Sequence, residues 1–113
     1  MRAVLFFVLT AVAVPSYADD APIQGAGAVT CGRWVEARKK GEYYGQLQWV
    51  QGFISSYNHY VYSHKMASGN GVFGETDYQA ITVWMDNYCQ RNPLDSVYMG
   101  AVNLVKELET RAR

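Results

Sequence analysis

The sequence contains few of the residues that build metal, cofactor or nucleic-acid sites. It has two cysteines, two histidines and no block of like charge, and its ten Lys and Arg residues balance its ten Asp and Glu residues. Nucleic-acid binding needs a basic surplus to displace counterions from phosphates, so zero net charge argues against that class. No glycine-rich phosphate-binding motif is present. The two cysteines and the histidines His59 and His64 lack zinc-like spacing, so we expect no metal and no cofactor.

Long apolar runs are also absent, except at the N-terminus. Arg2 precedes an almost wholly apolar run over residues 3–14, Pro15 follows it, and the small residues Ser16 and Ala18 suit the −3 and −1 positions of a cleavage site. This pattern predicts a cleaved secretory signal peptide over residues 1–18. The run is shorter than the roughly 20 residues that span a bilayer. We therefore expect a periplasmic protein with no membrane span after cleavage.

Both cysteines, Cys31 and Cys89, remain after cleavage. An even number of cysteines in a small exported domain indicates a disulfide, and two cysteines allow one intramolecular pairing. Closing a loop of this length stabilises the fold by roughly 4 kcal/mol in the chain-entropy model. We predict a Cys31–Cys89 disulfide in a single domain over residues 30–110.

The first half of that domain has helical spacing. Residues 19–29 show no periodicity and are predicted to be a flexible leader. Thr30 suits the N-cap of a helix over 31–40, and Gly41 suits its end. Apolar residues then recur at +3 and +4 over 42–66, which predicts a long helix.

The second half is also predicted to be helical, after a glycine-rich loop over residues 67–74. Thr76 and Gln79 match a capping box for a third helix that ends near residue 90. Asn92 and Pro93 suit the cap and first position of a fourth helix, and its polar residues after Leu108 predict fraying. No segment alternates with a period of two. The fold class we predict is all-α: a small four-helix bundle with one disulfide.

No local pattern indicates catalysis. Ser55 and Ser56 lie near His59, but no motif marks a nucleophile. Asp86 and Asp95 suit a surface charge and a helix cap better than a catalytic pair. We therefore predict no catalytic residues and no enzyme activity.

Aromatic residues are abundant instead: 13 lie in residues 19–113. Tyrosine and tryptophan combine apolar area with a polar group and are enriched at interfaces. Rings surround much of the predicted second helix, which favours an exposed surface over a core that absorbs them all. The predicted partner-binding residues are Trp49, Phe53, Tyr57, Tyr60 and Tyr62. Whether they contact another protein or a second copy in a homodimer is left open.

Cys89 lies in the stretch from Tyr88 to Pro93, which is followed by a predicted helix with Val97 and Leu108. This arrangement resembles the second cysteine, polar turn and final helix of the HdeA/HdeB family. Cys31 matches the first cysteine of those small periplasmic acid-stress chaperones. The chain also looks similar to Rap1a/Tai immunity proteins, which are small, exported, helical and disulfide-bonded.

These resemblances imply two functions. The first is an acid-stress chaperone that exposes aromatic surface to unfolded clients. The alternative is an immunity or inhibitor protein that binds a specific secreted effector at neutral pH. Both imply protein partners.

Overall fold

The fold is all-α, as predicted. The computed structural model describes residues 22–61 and 76–111. Its four helices are α1 (Cys31–Lys40), α2 (Tyr44–Tyr60), α3 (Tyr78–Arg91) and α4 (Val97–Arg111). Within the described ranges no strand forms, and one isolated antiparallel bridge joins Thr30 to Ser96. The predicted signal peptide, Tyr62 and the loop over 67–74 lie outside the described residues.

Helix α1 has the predicted bounds because both of its ends are capped. The Thr30 side chain accepts a hydrogen bond from the backbone N–H of Arg33, which satisfies one of the free donors of the first turn. Gly41 has a φ of 71°, the left-handed conformation that glycine adopts without a Cβ clash. Its backbone N–H donates to the carbonyls of Ala37 and Arg38.

Helix α2 begins two residues after the predicted start at residue 42, and it is described as far as Tyr60. Leu47, Val50 and Ile54 are its buried residues. Their spacing of +3 and +4 is the predicted core stripe, so the periodicity located the buried face correctly.

The predicted starts of the last two helices were wrong. The cap of α3 is Asp77, not Thr76: the Asp77 carboxylate accepts from the N–H of Ala80 at 2.8 Å. A carboxylate at this position also complements the positive end of the helix. Helix α4 starts at Val97, and Ser96 Oγ accepts from the N–H of Met99.

Asn92 caps the end of α3 rather than the start of α4. Its backbone N–H and its side-chain amide both donate to the carbonyl of Tyr88. The next three residues form a turn, in which the backbone N–H of Asp95 donates a hydrogen bond to the carbonyl of Asn92. At the other end, α4 continues past Leu108 to Arg111, where the Arg111 guanidinium pairs with Glu107.

The core lies where the four helices meet and includes the disulfide. Cys31 and Cys89 are bonded and fully buried, so the predicted pairing is confirmed. They join the start of α1 to the end of α3. The other fully buried side chains of the cluster are Trp34, Val50, Ile54, Ile81, Met85, Val97 and Ala101.

The segment before α1 differs from the flexible leader that we expected. Gly25–Ala28 forms a 3-10 helix with Gly27 buried. The carbonyl of Val29 accepts from the N–H of Val97, and that of Gln24 accepts from the indole of Trp49. We call residues 24–29 the N-terminal strap. Small side chains without hydrophobic periodicity suit a segment that packs through its backbone, so periodicity could not reveal it.

Candidate protein-binding surface

Two of the predicted partner-binding residues, Trp49 and Phe53, form an aromatic cluster with Tyr98 of α4. The rings of Trp49 and Phe53 stack with centroids 5.6 Å apart. Tyr98 meets both rings edge-on, at 6.4 Å from Trp49 and 5.7 Å from Phe53. Both α2 rings are half-buried and pack against the core. We call Trp49, Phe53 and Tyr98 the Trp49 cluster.

Tyr57 and Tyr60 occupy different surroundings on α2. The Tyr57 hydroxyl donates to the carboxylate of Glu109 at 2.7 Å, which ties α2 to the last turns of α4. Tyr60 is 72% exposed and lies edge-on to His59. The predicted five residues therefore do not form one exposed surface: three are half-buried, one is exposed, and Tyr62 lies outside the described residues.

Within residues 22–61 and 76–111, carboxylates accept hydrogen bonds from four aromatic side chains, a pattern that spacing along the sequence does not reveal. The first acceptor is Asp86 on α3. Its Oδ1 accepts from the indole Nε1 of the fully buried Trp34 at 2.8 Å. Both of its oxygens also accept from the guanidinium of Arg38, and this bond raises the pKa of Arg38. The Arg38 guanidinium lies 4.3 Å from the ring centroid of Tyr43, a cation–π contact.

The second acceptor, Glu107, joins α4 to α3. The Trp84 indole Nε1 donates to Glu107 Oε2 at 2.6 Å, and Arg111 donates to Oε1. These bonds favour the ionised carboxylate and lower the pKa of Glu107, with the Trp84 bond the larger cause. Tyr57–Glu109 is the third pair.

The fourth pair holds the turn between α3 and α4. The Tyr88 hydroxyl donates to Asp95 Oδ2 at 2.6 Å and accepts from the amide of Asn103 at 3.2 Å. Burial and the bond to the Asp95 carboxylate raise the pKa of Tyr88 to about 12. The Tyr88 ring also stacks on Trp84, with centroids 5.4 Å apart. The two stacked rings of α3 thus each donate to a carboxylate, Trp84 to one on α4 and Tyr88 to one in the turn before it.

An exposed aromatic patch lies elsewhere than predicted, where α1 leads into α2. The rings of Tyr43 and Tyr44 stack with centroids 4.6 Å apart, and Tyr44 is 60% exposed. Tyr78, at the start of α3, is 52% exposed. The hydrogen bond with Tyr43 is the main cause of the raised pKa of Tyr44, and the charge of the Tyr78 hydroxyl makes a smaller contribution in the same direction. We call Tyr43, Tyr44 and Tyr78 the tyrosine patch.

The candidate catalytic residues have structural contacts. Ser55 Oγ donates to the carbonyl of Gln51 one helical turn earlier. Asp86 and Asp95 accept the bonds described above; Asp86 lies within α3, and Asp95 lies in the turn between α3 and α4. In the part of the chain that the structure describes, no group of three His, Cys, Asp or Glu side chains is placed to hold a metal ion. No helix within 22–61 and 76–111 has the length and apolarity to cross a membrane.

Comparison with known proteins gives no relative. No family model, no curated protein and no solved structure matches the chain.

Proposed function

We propose that this chain is an exported, non-catalytic protein-binding protein that acts as an acid-stress chaperone in the periplasm. The observation that carries the proposal is the set of four hydrogen bonds from aromatic side chains to carboxylates. They hold Trp34, Trp84 and Tyr57 against neighbouring helices, and Tyr88 against the turn between α3 and α4. Rings that a chaperone would offer to clients are therefore retained by groups that acid neutralises.

The retaining bonds depend on charge. A hydrogen bond to an ionised carboxylate is shorter and about twice as strong as one between neutral groups. Glu107 gives the sign of the effect. Its pKa in the folded chain lies below the ordinary value of 4.5, so its stabilising contribution is present above that value. The contribution is lost as the pH falls through the lower folded pKa.

Net charge acts in the same direction. After loss of Arg2 with the signal peptide, nine Lys and Arg residues face ten Asp and Glu residues at neutral pH. In strong acid the carboxylates are neutral and the histidines charged, so the net charge rises to about +11. Self-repulsion then opposes the compact state while the retaining bonds weaken.

The disulfide limits how far such an opening extends. Cys31–Cys89 joins α1 to α3, and no retaining bond is needed to keep these two helices linked. By contrast, α4 contacts α2 and α3 through Glu109 and Glu107. An acid-opened form would expose Tyr57 and Trp84 to clients and would still refold from a cross-linked chain.

The test is light scattering from an aggregating client brought to acid pH, with and without residues 19–113 of this chain. We expect suppression in acid and none at neutral pH. In the double variant Glu107→Gln/Glu109→Gln both acceptors are neutral at every pH, so suppression should begin at a higher pH. Glu36→Gln, which breaks the exposed Glu36–Lys40 pair, is the matched control. Absence of suppression at any pH, or the same onset in the double variant and the control, contradicts the proposal.

The tyrosine patch favours one second candidate, an immunity or inhibitor protein that binds a secreted effector at neutral pH. Tyrosines are enriched among the residues that dominate binding energy, and Tyr44 and Tyr78 are exposed without any opening. The test is recovery of one effector at neutral pH by the unsubstituted chain. Tyr44→Ala/Tyr78→Ala should abolish it and Tyr60→Ala should not. Equal recovery by both variants would contradict a role for the patch.

A further inference from the structure

The N-terminal strap covers the Trp49 cluster through its backbone. The indole Nε1 of Trp49 donates to the carbonyl of Gln24 at 3.0 Å. Gly27 is buried directly against the indole: a Cβ at this position would overlap Cζ2, Cε2 and Cη2 of the Trp49 ring. A Cβ on Gly25 would lie 3.6 Å from Cδ1 of the same ring. The face of Trp49 therefore accepts a chain that lacks side chains at the point of contact and offers a carbonyl to the indole.

The strap packs against α2 and α4 without ion pairs or large side chains over residues 24–28. Residues 24–28 have the sequence Gln-Gly-Ala-Gly-Ala, which has no charged side chain and no large apolar one. Their 3-10 helix has four residues, and the Gln24 side chain makes no capping hydrogen bond. Beyond the Trp49 bond, the carbonyl of Val29 accepts from the N–H of Val97 at 2.9 Å, and the Val29 side chain packs against the core. Residues 24–28 have no such side chain, and short surface segments of this kind open at a lower free energy than the helical core does.

The surface beneath the strap has the composition of a peptide-binding face. Trp49 and Phe53 present stacked rings, and Tyr98 closes one side edge-on. With the strap displaced, the indole N–H loses the carbonyl that it binds in the structure. This bond is exposed, so water can satisfy the free indole N–H, and a segment that brings a carbonyl to Nε1 restores the bond while its backbone covers the rings.

We propose that the Trp49 cluster is a second client-binding face of this protein, separate from the rings that acid releases, and that the strap is its built-in occupant. Segments of unfolded proteins that are rich in glycine and alanine take the place of the strap when it leaves. The inference rests on the proposed function, since it adds a surface that clients contact. The strap itself defines the chemistry of the occupant: a glycine against the indole and a backbone carbonyl on Nε1.

The experiment compares two glycine-to-alanine variants of residues 19–113 at neutral pH. Gly27→Ala adds a methyl group that would overlap atoms of the Trp49 ring, so it should displace the strap. Gly52→Ala is the matched control, since a Cβ on Gly52 meets nothing within 4 Å. The probe is a labelled synthetic peptide with the sequence of residues 22–30, and its affinity is measured by fluorescence polarisation. A second peptide has valine in place of Gly27.

We expect the Gly27→Ala chain to bind the glycine peptide at least about tenfold more tightly than the Gly52→Ala chain does, because its own strap no longer competes. The valine peptide should bind neither chain. Adding Trp49→Phe to Gly27→Ala removes the indole donor and should weaken binding of the glycine peptide. Equal affinity of the two chains, or equal binding of the two peptides, would overturn the inference.

This result is separable from that of the acid assay. Peptide exchange at neutral pH together with no client protection in acid would support the strap site and contradict the chaperone function. Client protection in acid with no effect of Gly27→Ala on peptide binding would support the chaperone function and contradict the strap site.

Discussion

Removing the Asp86 carboxylate should destabilise the fold more than removing any exposed charge. The Asp86→Ala change takes away the acceptor of the Trp34 indole, which is fully buried. An unsatisfied buried donor costs about 1–3 kcal/mol. The change also leaves the Arg38 guanidinium without its carboxylate. Because the Arg38 side chain is 31% exposed, water replaces part of that interaction, and we add no more than about 1 kcal/mol.

The expected total is about 1–4 kcal/mol, which lowers the melting temperature of a domain of this size by on the order of 5–30 °C. Circular dichroism during thermal unfolding at pH 7 measures it. Asp86→Asn keeps an oxygen for the Trp34 indole and should lose about half as much. Glu36→Ala, which removes an exposed pair with Lys40, should change the free energy of unfolding by less than about 0.5 kcal/mol. If Asp86→Ala and Glu36→Ala melt within 2–3 °C of each other, roughly 0.5 kcal/mol, the assignment of Asp86 as a central acceptor is refuted.

Three further changes have outcomes that follow from single features. Replacing both cysteines, Cys31→Ser and Cys89→Ser, should lower the free energy of unfolding by roughly 4 kcal/mol in urea titration; a loss below about 1 kcal/mol would contradict the chain-entropy argument. Gly41→Ala places a Cβ at a φ of 71° and should cost about 1–2 kcal/mol by the same measurement, whereas no loss would mean that the turn rearranges. The pKa of Tyr88 is raised to about 12, so the neutral hydroxyl stabilises the folded state. Its contribution to the free energy of unfolding is complete below the ordinary tyrosine pKa of 10.0 and is lost as the pH rises toward 12. Tyr88→Phe should remove that part of the alkaline loss of stability, and unchanged pH dependence would argue against the Tyr88–Asp95 bond.

The sequence predicted the fold class because local signals and burial agree. The stripe of Leu47, Val50 and Ile54 in α2 follows the helical period, and it is the buried face. Thr30 caps α1 with its side-chain oxygen and Gly41 with its left-handed backbone, and both properties depend on the residue type itself. The start of α4 could not be located in this way. Asn-Pro suits both a helix N-terminus and a turn, and here the bonds from Asn92 back to Tyr88 decide for the turn.

The candidate binding surface was predicted less well, since its decisive contacts are distant in sequence. Trp34 and Asp86 are 52 residues apart, as are Tyr57 and Glu109. Spacing along one helix says nothing about a carboxylate on another. The aromatic residues of α2 were therefore predicted to be exposed, whereas Trp49 and Tyr57 are half-buried against groups that only the tertiary fold supplies. The exposed Tyr44 and Tyr78 lie in different helices, and no spacing pattern in the sequence joins them.

The contacts at the start of α1 determine when the chain can complete its fold. Cys31 donates its backbone N–H to the carbonyl of Asp95, and Val29 and Thr30 meet Val97 and Ser96. Nearly all of the chain must therefore be present before its first helix has its final neighbours. A chain that crosses a membrane or leaves a ribosome N-terminus first carries Cys31 as a single thiol until Cys89 arrives, 58 residues later. Folding can finish only when synthesis or translocation is almost complete, so the chain remains without its final tertiary structure until then.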